Sequence, residues 1–80
     1  MNINESKNED EFLPEDLEEA NTLIFWRNYC IAETKKCLNM QDYKGVRYFN
    51  LELLRTVNDL EFLQFKKIDH ERKIENEKGN

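Results

Sequence analysis

The 80-residue chain has one proline, Pro14, and two glycines, Gly45 and Gly79. That leaves little turn chemistry for a β-rich fold and points to helix. There are two cysteines, Cys30 and Cys37, and one histidine, His70. No CxxC pair or histidine cluster accompanies them, so no metal or cofactor is expected. Cysteines seven apart on a helix lie about 10 Å apart along the axis, too far for a disulfide within it. They read as reduced thiols in a cytoplasmic protein.

Long apolar runs are missing as well. The most apolar window, Leu23 to Ala32, is broken by Arg27 and Asn28, and no membrane partner is expected. The opening MNINESKNEDE has no basic stretch followed by an apolar one, so it does not read as a secretory leader. There is no phosphate-cradling glycine loop and no nucleophile elbow. His70 stands among charges without a catalytic partner. The chain reads as non-enzymatic.

Charge is abundant but uneven. The formal net charge is −5. Residues 1–21 carry 8 acids against Lys7, while residues 22–55 carry 6 bases against 3 acids. The overall acidity speaks against generic nucleic-acid binding.

What the chain does have is helical periodicity. Val46, Phe49, Leu53, Val57 and Leu60 recur at spacings of 3 and 4, on one face of a helix from about 43 to 74. Pro14 suits a helix start, and acids follow it at Glu15, Asp16, Glu18 and Glu19, where the helix dipole favours them. The stripe Leu17, Ala20, Ile24, Ile31 and Leu38 extends this helix to about residue 39. Asn39 is placed to end it in the left-handed conformation, and Asp42 to cap the next.

The fold expected is therefore all-α, an antiparallel two-helix hairpin over residues 13–75. A disordered acidic arm (1–12) precedes it and a disordered tail (76–80) follows. Pairing Leu38 with Val46, Ile31 with Leu53 and Ile24 with Leu60 satisfies one register throughout. It also brings the acids near Pro14 close to Lys66 and Lys67.

Apolar residues remain after that seam is filled. Leu23, Trp26, Cys30 and Cys37 make a second row on the first helix, with Tyr29 beside it. Leu51, Phe62 and Leu63 lie off the main face of the second. A large uncovered apolar surface marks a contact site, and aromatic residues concentrate binding energy. These eight residues are the expected partner-binding set, for another protein or for a second copy forming a four-helix bundle. The bases Lys35, Lys36, Lys44, Arg47 and Arg55, with Tyr43 and Tyr48 among them, would orient the partner. The function expected is a small regulator, inhibitor or assembly subunit. The alternative is an acidic regulator that associates with nucleic acid or mimics it, which steep salt dependence would reveal.

Overall fold

The computed structural model describes residues 11–78. Residues 1–10 of the arm expected over 1–12 and residues 79–80 of the tail expected over 76–80 lie outside them, while residues 76–78 of that tail are helical. A 3₁₀ turn, Pro14–Asp16, leads into α1, Leu17–Asn39. After a short turn, α2 runs over Tyr43–Lys78. The two helices pack as an antiparallel hairpin. Helix α2 continues four residues past its expected end. Its exposed last part carries the i,i+4 pairs Lys67–Glu71 at 3.7 Å and Lys73–Asp69 at 3.2 Å, each a modest helix stabiliser.

The turn is a Schellman motif. The Asp42 amide donates to the Cys37 carbonyl at 2.8 Å, and the Gln41 amide to the Leu38 carbonyl at 3.1 Å, which occupies carbonyls the helix leaves unpaired. Gln41, not Asn39, adopts the left-handed conformation, with φ 58°. Asp42 does cap α2: its Oδ1 accepts from the Gly45 amide at 3.0 Å. Gly45 is there for room. A Cβ at this position would sit 2.6 Å from Cys37 Sγ and 2.7 Å from Asp42 Oδ2.

The seam differs from the expected one. Cys30 and Cys37 are buried, whereas Ile31 is 40% exposed and Leu38 51%. Three observations fix the register: Cys37 against Gly45, Cys30 near the Glu52 carboxylate, and Asp16 ion-paired to Lys66. Around the turn, each helix presents the residue before the one expected, a rotation of about 100°. On α2 the deepest positions are Thr56, Leu60 and Leu63, so Val57 moves to the margin. Buried Thr56 satisfies its hydroxyl by donating to the Glu52 carbonyl at 2.8 Å, and Thr34 donates likewise to Cys30.

The core lies toward the open end. Phe12, Ala20, Leu60 and Leu63 are buried together, with Leu17, Leu23 and Ile24 packed on them. Phe12, which the sequence pattern leaves in the arm, is only 2% exposed. The ion pair expected at this end is present: Lys66 Nζ lies 3.0 and 3.1 Å from the two carboxylate oxygens of Asp16. Because Asp16 is buried and its ammonium partner half-exposed, this pair is better shielded than an ordinary surface bridge.

Candidate functional site

A pair of helices has two open sides, and the aromatic contacts identify one of them. Trp26 stacks on Tyr29 with ring centroids 5.2 Å apart. Tyr29 meets Phe49 of α2 edge-on at 6.1 Å, and Phe49 meets Tyr48 at 5.0 Å. Both separations suit attractive ring pairing. Tyr29 precedes the buried Cys30, and Tyr48 precedes the half-buried Phe49. This aromatic side therefore carries the residues just before the seam on each helix. Arg55 and Phe62, seven and fourteen residues further on from Tyr48 along α2, join it. Trp26, Tyr29, Tyr48 and Phe62 all remain exposed. The Tyr29 hydroxyl is pushed up from its ordinary pKa, chiefly by a hydrogen bond to Glu33 and that carboxylate's charge.

Residues just after the seam occupy the opposite, aliphatic side. These are Ile31 and Leu38 on α1 and Val57 on α2; Leu54, one turn before Val57, lies about 60° farther round α2 and flanks this side. All four are exposed.

Of the eight residues expected to bind a partner, Trp26, Tyr29, Leu51 and Phe62 are on the surface. Trp26 and Tyr29 stack on each other, and Leu51 and Phe62, eleven residues apart on α2, lie within about 20° of one another around its axis. Cys30, Cys37 and Leu63 are buried in the hairpin, and Leu23 is half-buried against its core. At Cys37 the reason is volume. Where Gly45 brings the backbones close, a thiol fits and a branched aliphatic chain does not. Tyr48 and Phe49, absent from the eight, complete the aromatic cluster; the seven-residue row Tyr48, Arg55, Phe62 is the sequence signal for that side.

Burial pushes both thiols up from their ordinary pKa. Glu52 adds to the effect at Cys30, and Asp42 and Glu33 outweigh Lys36 at Cys37. Thiolate is the reactive form, and the native fold disfavours it at both cysteines. Lys35, Lys36, Lys44, Arg47 and Arg55 are all exposed. Arg55 approaches Glu52 only at 3.9 Å.

His70 is exposed on the last part of α2. Among the described residues, no group of three or more His, Cys, Asp or Glu is arranged to hold a metal. No helix among them is long and apolar enough to cross a membrane. A shallow groove of about 340 Å³ lies where the arm meets α2, lined by Glu11, Gln64, Lys67, Ile68 and Glu71. Its Glu11 carboxylate accepts from the Gln64 amide at 3.2 Å. No family model, curated protein or solved structure matches the chain.

Proposed function

We propose that this chain is a non-enzymatic protein-interaction module that presents its aromatic side to a protein partner. The observation that carries the reading is the aromatic cluster itself. Trp26, Tyr29 and Tyr48 are held in place by stacking and edge contacts with one another and with Phe49, yet remain accessible to solvent. Rings already fixed in position lose little entropy on binding, and Trp and Tyr are favoured anchors at interfaces. The bases Lys36 and Arg55 flank the rings, where they can steer an acidic surface into place.

A photo-crosslinking residue at Tyr48 or Phe62, in the full chain in its host cell extract, tests this reading. Discrete protein adducts are expected, and Trp26→Ala should reduce them at least about tenfold, the loss a hot-spot residue implies. Adducts that survive Trp26→Ala, or that disappear on nuclease treatment, would overturn it.

A further inference from the structure

The aliphatic side stands apart from the aromatic one. Its two halves are treated differently. Beyond Leu60 the arm covers it: Glu11 bonds to Gln64, which follows the buried Leu63 and so faces this side, and Phe12 packs into the core beneath. Toward the turn, Ile31, Leu38, Leu54 and Val57 have no cover within the described residues. Together they expose on the order of 400 Å² of apolar surface, a patch size that on a monomer is often functional. Residues 1–10 contain only Met1 and Ile3 as hydrophobic residues, and residues 79–80 contain none.

We propose that a second copy of the chain covers this patch, packed antiparallel about a two-fold axis that crosses α2 near Leu54 and α1 near Ile31. The area is adequate. Two such patches face to face remove roughly 800 Å² of apolar surface, near the apolar share of a standard interface of about 1,600 Å². The contact is self-complementary, as a two-fold demands. It makes a four-helix bundle in which every neighbouring pair of helices is antiparallel.

Charge selects the orientation. Arg47 and Glu61 lie seven residues before and seven after Leu54, on the same row of α2, and both are exposed. Neither forms an ion pair within the chain among the described residues. An antiparallel two-fold sets Arg47 of each copy toward Glu61 of the other. A parallel one sets Arg47 against Arg47. The antiparallel arrangement also places the basic turn of one copy beside the acidic start of the next, and the arm marks where the interface stops.

Sedimentation equilibrium over a wide concentration range, with reductant, is the test, and circular dichroism follows helicity in every variant. The wild-type chain should sediment at twice its 9.7 kDa mass. Ile31→Lys and Leu54→Lys should each raise the dissociation constant at least about 30-fold while keeping the helix signal. Arg47→Glu or Glu61→Arg alone should weaken the dimer about tenfold, and the two together should restore it. A monomer at all concentrations would overturn the proposal. So would a dimer that tolerates Leu54→Lys but is lost in Trp26→Ala, since the aromatic side would then be the self-contact. A charge-swapped double variant no tighter than either single one would overturn the antiparallel orientation.

Discussion

The open end and the turn end of this hairpin are built from different materials. At the open end the seam holds large side chains, Leu60 and Leu63, closed over by Phe12. At the turn end the fully buried positions are small ones, Cys30, Cys37 and Thr56, with Thr34 and Gly45 beside them, and the larger Phe49 and Leu53 are only half-buried. There the bulky residues Leu38, Met40, Tyr43 and Tyr48 stand outside the seam. Two helices alone enclose little volume. Large side chains are fully buried only where a third piece of chain supplies the missing wall. Without that piece the helices close on small residues, and the large ones stand outside.

Three substitutions bear on this contrast. The largest effect is expected from Phe12→Ala, which removes the wall at the open end and should cost about 3 kcal/mol, read by chemical denaturation. A loss under about 1 kcal/mol, no more than a surface substitution brings, would mean that the arm does not close the core. Next comes Gly45→Ala at the turn end. The added methyl would lie 2.6 Å from Cys37 Sγ, and the overpacking should cost about 1–3 kcal/mol. Cys37→Ala in the same chain should recover part of that loss, because it vacates the space; full additivity would show that the close approach at the turn is not the constraint. The smallest effect is a gain. Gln41 holds a left-handed φ of 58°, a conformation that costs a residue with a Cβ on the order of 1 kcal/mol and glycine almost nothing. Gln41→Gly should therefore raise the midpoint of thermal unfolding by a few degrees. An unchanged or lower midpoint would contradict the turn geometry.

Much of the fold was legible in the sequence, because its signals are local. Apolar spacing of 3 and 4 identified both helices. Pro14 marked the start of the first helical segment, and Asp42 marked the cap of α2, which the structure places within hydrogen-bond reach of Gly45. The opposed charges at 16 and 66 anticipated their ion pair. The candidate site was less legible. Leu23, Cys30 and Cys37 form one apolar row, and Ile24, Ile31 and Leu38 form another, one residue further on. Both have helical periodicity, and hydrophobicity favours the aliphatic row for the inside. The structure takes the row with the thiols instead, and so frees Ile31 and Leu38 for the surface.

The sequence by itself determined that the chain is helical, where it reverses, and that an acidic N-terminal stretch is followed by a basic middle. These follow from backbone propensity, capping and the order of charges along the chain, and none depends on what packs against what. Only the tertiary structure decided which row faces inward and that Phe12 belongs to the core. Both outcomes depend on the space left between elements distant in sequence: the close approach at Gly45 that admits sulfur but not a branched side chain, and the gap beside Leu60 and Leu63 that a phenyl ring fills.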